Sequence, residues 1–248
     1  MKRVVAALAV LSMFAFLSCQ AKFDLPWLKQ GPQVAPSPRQ TAQVGAFDTI
    51  RVEGAADLIF DDSVALHEVV MTSDSGKAGS MSARLDGTTL ILATAEGMPG
   101  GGTQEFRVHL DPGFAHLVWT GMGTTKFSQP WKGKALTLEL EGLGSIQASV
   151  EAEELTLLQK GAGEITASGS ATVLHVRSSG LGQVDASELV SKTAVVESSG
   201  VGEVLVNASE SLQVDSSGLG SVKYAGNPKS KTLHASGATS IEVLEPGN

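Results

Sequence analysis

The chain contains a single cysteine among its 248 residues, so no internal disulfide can staple it. Aromatic residues make up only 5%, too few for a core of stacked rings, whereas 42% of residues are hydrophobic and 28 are glycine. That balance suits thin layers of Val, Leu, Ile and Ala. No basic run follows residue 3, and the net charge is −8. Nucleic acid is thereby excluded as a partner, because its binding needs clustered Lys and Arg to displace counterions. A membrane-spanning helix needs about 20 apolar residues. The uncharged stretch Val4–Leu17 (VVAALAVLSMFAFL) has only 14. Beyond it, no segment shows a 3.6-residue apolar period, which removes helical architectures and predicts an all-β chain.

What is present begins with Lys2-Arg3 ahead of that apolar stretch, the pattern of a signal peptide over residues 1–18. The stretch ends Phe16-Leu17-Ser18-Cys19, which resembles a bacterial lipobox and predicts Cys19 as the lipid-bearing first residue of the mature chain. Losing residues 1–18 removes Lys2 and Arg3 and no acid, so the mature chain is more acidic still. Acyl chains, and not a basic patch, would then hold it to a membrane. Gln20 stands where some inner-membrane lipoproteins carry a retaining Asp, which favours the outer membrane of the bacterial envelope. Residues 19–44 carry Pro26, Pro32, Pro36 and Pro38 without a sustained apolar period and read as a lipidated tether. The folded domain is expected over residues 45–248.

Within that domain the phrase SSGLG occurs at 178–182 and 216–220, with SSGVG at 198–202. The first glycines of these and related phrases are Gly121, Gly142, Gly161, Gly180, Gly200, Gly218 and Gly237, separated by 21, 19, 19, 20, 18 and 19 residues. Repeats of this length signal a solenoid, whose units bury their apolar faces only by stacking. Four residues before each glycine stand Leu117, Leu138, Leu157, Val176, Val196, Val214 and Leu233. Six before stand Ala115, Leu136, Leu155, Leu174, Ala194, Leu212 and the exception, Lys231. Four after come Thr125, Ile146, Ile165, Val184, Val204, Val222 and Ile241; six after come Phe127, Ala148, Ala167, Ala186, Val206, Tyr224 and Val243. Each arm alternates with period two, as a strand with one buried face does. The residue just after the glycine is also apolar (Met122, Leu143, Ala162, Leu181, Val201, Leu219, Ala238) but out of step with both arms. It is expected to point inward as the chain turns a corner. The corner glycines are therefore Gly121, Gly123, Gly142, Gly144, Gly161, Gly163, Gly180, Gly182, Gly200, Gly202, Gly218, Gly220 and Gly237, with the serines packing into ladders. Ile50, Val52, Ala55, Leu58 and Phe60 fit the same columns around Gly54 and predict an earlier rung. Asp86-Gly87 between Met81–Leu85 and Thr88–Ala93 predicts a hairpin, while 97–102 (GMPGGG) and Pro112-Gly113 predict breaks. The fold class expected is a β-solenoid with rungs of ~18–21 residues.

A leucine-rich repeat is set aside because its spaced leucines and buried Asn are missing. A nucleotide-binding reading of Gly-x-Gly fails because each phrase leads into a β-branched strand and not a helix. With FDTIRVEG at 47–54, LDGTTLIL at 85–92 and the succession of Gly-x-Gly rungs on the page, the chain resembles the bacterial head-GIN domain family, an adhesin-labelled domain of unknown function. The resemblance spans about Phe47 to Val243 and implies a β-helix-like solenoid behind a signal peptide or lipobox, with no catalytic residues to carry over. Family members often place an acid after the second glycine; here that column reads Thr124, Ser145, Glu164, Gln183, Glu203 and Ser221.

Outward columns of a solenoid stack at about 4.8 Å. Three residues before the later glycines stand Arg177, Glu197, Asp215 and His234, with His175 beside them, and this is the candidate surface-binding site. The five histidines, His67, His109, His116, His175 and His234, show no zinc-site spacing, and no Gly-x-Ser-x-Gly elbow appears. No metal or cofactor is expected. The function these features support is a non-enzymatic, adhesin-like or scaffolding envelope lipoprotein that contacts polysaccharide or an envelope protein. The alternative is a β-helical carbohydrate-active enzyme using Glu197 and Asp215 as a carboxylate pair on an acidic polysaccharide. Glu242, Glu245 and Pro246 near the last strand favour a monomer by protecting its edge.

Overall fold

A computed structural model describes residues 39–74, 80–95 and 103–244, all within one compact unit, Ala35–Asn248. The expected signal peptide, Cys19, most of the tether, the 97–102 loop, Glu245 and Pro246 lie outside the described residues. The regular part begins with β8 (His116–Trp119), β9 (Met122–Phe127), β10 (Trp131–Leu140), β11 (Leu143–Gln159), β12 (Ala162–Ser178), β13 (Leu181–Ser198) and β14 (Val201–Ser216). It ends with β15 (Leu219–Ala225), β16 (Ser230–Ala235) and β17 (Ala238–Val243). Each long strand makes one whole coil, running from one glycine corner to the next. The first half of β11 pairs in parallel with β9, Ile146 opposite Thr125, and its second half pairs with β10, Leu157 opposite Leu138. The chain is a β-solenoid.

Aliphatic alternation produces this arrangement. Leu138, Leu157, Val176, Val196 and Val214 are buried in one arm, and Ile146, Ile165, Val184, Val204 and Val222 face them from the other. Neither arm could bury its stripe alone, so each coil shields its neighbours. The aromatics, few as they are, gather at the N-terminal end. There Phe60 lies 5.2 Å from Phe114 and 4.4 Å from Phe127 between ring centroids, and Trp131 Nε1 donates to the Phe114 carbonyl at 3.1 Å. The composition suits thin aliphatic layers, which the regular coils have, whereas this end is filled by Phe60, Phe106, Phe114 and Trp119, all fully or almost fully buried.

At the corners the coils approach backbone to backbone. Gly182 has φ 131°, and an added Cβ at Gly202 would fall on the Gly182 carbonyl of the coil below. Differences in rung length are absorbed elsewhere. The β12–β13 and β13–β14 ladders shift register at Thr166/Gly169, Ala186/Val190 and Ser191/Thr193, at the far bend. The corner register, Ala162 to Leu181 to Val201, stays intact.

One expectation about the corner is overturned. Met122, Leu143, Leu181, Val201 and Leu219 point outward, with exposures from 47% at Val201 to 58% at Leu181. The inward place is taken by the residue two before the first glycine, which keeps the period-two alternation of its arm. That column includes Trp119, Leu140, Gln159, Ser178 and Ser216, all buried. Gln159 Nε2 donates to the carbonyls of Gly161 (3.0 Å) and Leu181 (2.9 Å), and its Oε1 accepts from Ser178 Oγ at 2.9 Å. The first serine of SSGLG thus packs inside the corner, while Ser179, Ser199 and Ser217 are exposed.

Before the regular coils come β1 (Arg39–Gln43), β2 (Thr49–Glu53), β3 (Asp57–Phe60), β4 (Glu68–Ser73), β5 (Met81–Asp86), β6 (Thr89–Thr94) and β7 (Gln104–Val108). The predicted rung around Gly54 is present: Ile50 pairs with Leu117 and Leu58 with Thr125. The hairpin at Asp86-Gly87 joins β5 to β6 with Asp86 opposite Thr89. The β6 and β7 strands then lie outside β2 and β3, although they come later in sequence. Antiparallel β5, β4 and β1 complete this end. Residues Arg39–Gln43, expected within the tether, form β1. This strand packs only Ala42, half-buried, against the core and adds to β4 through its backbone, so it leaves no apolar period to read. At the other end all six residues of β16 are exposed, and Lys231 in the otherwise apolar column lies 5.6 Å from the Tyr224 ring centroid.

Two substitutions test this fold. Gly202→Val is expected to cost about 2–4 kcal/mol by placing a branched side chain against a neighbouring backbone. Leu157→Ala is expected to cost about 2–5 kcal/mol through the cavity it leaves. Chemical denaturation measures both, and a loss below about 0.5 kcal/mol at either position contradicts the stacking described.

Candidate functional site

The strand half that precedes each corner presents its odd-phase side chains to solvent. The parallel register places Arg177 opposite Glu197, Glu197 opposite Asp215 and Asp215 opposite His234, so the predicted column is assembled on four successive coils. Arg177 donates through Nε to Glu197 Oε2 at 2.8 Å, and its second guanidinium contact to the same oxygen is also 2.8 Å. His175 Nε2 lies 3.8 Å from Glu154 Oε1. These pairs are largely exposed, so each contributes at most a few tenths to 1 kcal/mol of stability. An open depression of about 300 Å³ lies over them, lined by Glu154, Thr156, Leu158, His175, Arg177, Val195 and Glu197 among others. Asp215 and His234 continue the column beyond the depression's lining.

Glu197 is held in place by the Arg177 guanidinium through Oε2 alone. Among the described residues, no three His, Cys, Asp or Glu side chains gather where a metal ion could sit. A groove with Leu158 and Val195 between charged and imidazole groups can bind an extended polar chain lying along the coils.

Comparison with known proteins places this architecture. Residues 46–228 match the family described as "putative auto-transporter adhesin, head GIN domain". The chain belongs to the head-GIN domain family. No curated protein matches it by sequence. Among solved structures, a putative adhesin from Bacteroides fragilis superposes with a TM-score of 0.75 at 20% identity, covering 84% of this chain and 99% of that one. A putative lipid binding protein from Parabacteroides distasonis gives a TM-score of 0.62 at 18% identity, with 84% and 97% covered. A putative adhesin from Parabacteroides merdae gives 0.53 at 12% identity, with 84% and 96% covered. At these identities the likeness is one of fold.

On this head-GIN chain the column after the second glycine faces outward on the other arm. It carries Glu203, paired with Lys223 at 2.6 Å and with Ser221 Oγ at 3.2 Å, and forms no acidic ladder. Two charged clusters had no distinct sequence signal. Glu139, nearly buried, is bound by Lys160, and His116 Nε2 lies 3.4 Å from its other oxygen; Lys160 also reaches Glu141 at 3.3 Å. Burial raises the Glu139 carboxyl pKa, but the Lys160 ammonium and the surrounding hydrogen bonds outweigh it and hold the group below its ordinary value. Lys160 is raised in turn, chiefly by Glu139. Asp61 accepts hydrogen bonds from Ser63 and Arg107, in that order of effect, and is lowered from 3.8 to about 2. Of these residues, Glu139 shares the outward column of Arg177, Glu197 and Asp215, three residues before the corner glycine.

Both lowered carboxylates tie stability to pH. Their contribution is complete above their unfolded values and is lost as pH falls through the folded ones. For Asp61 the loss is expected between pH 3.8 and about 2. Thermal melts from neutral pH downward check this: Asp61→Asn is expected to melt lower than the parent at neutral pH and to approach it near pH 2. Parallel curves would contradict the Asp61 assignment.

Proposed function

We propose that the chain is a lipid-anchored protein of the bacterial cell envelope, carried by Cys19 on the outer membrane, that binds by its outer faces and performs no catalysis. Its ligand is an extended polysaccharide or envelope polymer bearing carboxylates, laid along the column Arg177, Glu197, Asp215, His234 with His175 beside it. The observation that carries this reading is the coil-by-coil display of these groups on an open face, with Glu197 already neutralised by Arg177. An anionic chain gains by taking over the guanidinium, while the apolar Leu158 and Val195 meet the faces of sugar rings. Membership in an adhesin family supports the role, and the fold shared with a P. distasonis protein described as lipid binding fits an envelope location. The acidic net charge is consistent with no role for nucleic acid. Lys231 and Glu242 on the final coil favour a monomer, since charges on an edge strand discourage further pairing.

The enzyme alternative rests on Glu197 and Asp215 occupying adjacent coils. Two measurements decide between the readings. Cell fractionation is expected to find the parent with the outer membrane and Cys19→Ser in the soluble fraction; a soluble parent contradicts the anchor. On a panel of acidic glycans, Arg177→Ala is expected to weaken capture on the order of ten-fold, about 1.4 kcal/mol. Glu197→Gln and Asp215→Asn are expected to keep or strengthen it. Glycan turnover by the parent that is abolished in Glu197→Gln would replace binding with catalysis.

A further inference from the structure

The outward corner column is the largest regular apolar feature left uncovered among the described residues. Met122, Leu143, Leu181, Val201 and Leu219 stand in register, one per coil except where Ala162 intervenes, and the crest runs about 29 Å from Met122 to Ala238 at strand spacing. Glycines on both sides of each residue leave the side chains standing clear of the backbone. Half-exposed side chains at five levels present on the order of 400 Å², the size of a functional surface patch. That is roughly half of the ~800 Å² a stable protein partner covers on each side, so a second copy is a poor occupant.

We infer that this crest rests in the surface of a neutral, zwitterionic bilayer and so fixes the orientation of the tethered domain. Charge and reach select that occupant. The flanks at the Leu181, Val201 and Leu219 levels are Ser179, Ser199 and Ser217 on one side and Gln183, Glu203 and Ser221 on the other, hydroxyl and amide groups suited to headgroups together with one carboxylate already paired with Lys223. Lys160 and Lys223, cations near the crest, are already bound by Glu139 and Glu141 and by Glu203, so neither is free to draw anionic lipid. Gln20–Pro38 spans at most about 60–70 Å when fully extended, roughly twice the crest, so a lipid at Cys19 lets any face of the domain reach the membrane without choosing one. A narrow apolar wedge supplies the choice, as shallow insertion of Leu, Met and Val at the interface is favourable. This inference rests on the anchor proposed above. It leaves the Arg177 face directed away from the corner and available to ligand.

The test uses the full chain, carrying an environment-sensitive fluorophore on a reporter cysteine at the crest (Leu181→Cys) or on either flat face (Gln147→Cys, Gln213→Cys). Each chain is placed in phosphatidylcholine vesicles containing a minor fraction of doxyl-labelled lipid. Mass analysis of the N-terminal peptide reports acylation of Cys19 separately. Quenching at the crest is expected to exceed that at either face by roughly two-fold or more. Leu143→Ser, Val201→Ser and Leu219→Ser together are expected to remove that excess without altering the melting temperature by more than a few degrees. An acylated, vesicle-bound chain with equal quenching at all three reporters overturns the crest while sparing the anchor. An unacylated chain that still binds vesicles through the crest supports the crest alone, and an unacylated chain that does not bind overturns both. A crest reporter shielded with rising protein concentration in the absence of vesicles overturns the inference in favour of a second copy.

Discussion

At every corner the main chain of one coil lies directly against the main chain of the coil below, close enough that a methyl group has nowhere to go. The amides of Leu143, Ala162, Leu181, Val201 and Leu219 donate to Gly121, Gly142, Gly161, Gly180 and Gly200 across this contact, at 2.9–3.0 Å. Parallel pairing continues through the turn, where most β-turns would break it, and the two flanking arms inherit a common register from it. Glycine at the contact is a steric requirement. Its entropic cost in a strand is set against a corner hydrogen bond in every coil.

Once the corners are fixed, the remaining design follows from side-chain alternation. Inward positions fill with Leu, Ile, Val and Ala, and the interior of the corner is closed by Gln159, which donates to the carbonyls of Gly161 and Leu181, and by Ser178, which donates to Gln159 Oε1. Insertions fall at the far bend as bulges, so the rung length varies while the corner column does not. Outward positions become ladders, and a ladder multiplies whatever single residue it repeats. One arm displays charge over successive coils and the corner displays apolar side chains. Together they give a single domain two chemically distinct surfaces, one charged and the other apolar.

Much of this was legible because a solenoid writes its structure into its sequence at a fixed period. The columns of Leu157 and Ile146, the earlier rung at Gly54, the hairpin at Asp86-Gly87 and the stacking of Arg177 with Glu197 and Asp215 all follow from counting. The corner side chains were misplaced because an apolar residue out of phase with both arms suggests a second inward position. Burial at that point belongs instead to the residue two before the glycine, and Leu181 and its equivalents are left outside. Strand β1 was illegible because RQTAQ packs a single half-buried Ala42 against the core and otherwise pairs through its backbone. The placement of β6 and β7 outside β2 and β3 was illegible for a different reason: it is a long-range crossover, to which periodicity is blind. The Glu139–Lys160 cluster depends on burial between coils, and no spacing rule announces that.

Amide hydrogen exchange at the corner residues tests the central contact most directly, because these residues combine exposed side chains with buried backbone. If the coils are joined there as described, the amides of Leu143, Leu181, Val201 and Leu219 exchange as slowly as those of Leu157 and Val176 in the strand interiors. Exchange at the rate of an open loop, with the interior strands still protected, would mean that the corners are not paired and that the stack is held in some other way.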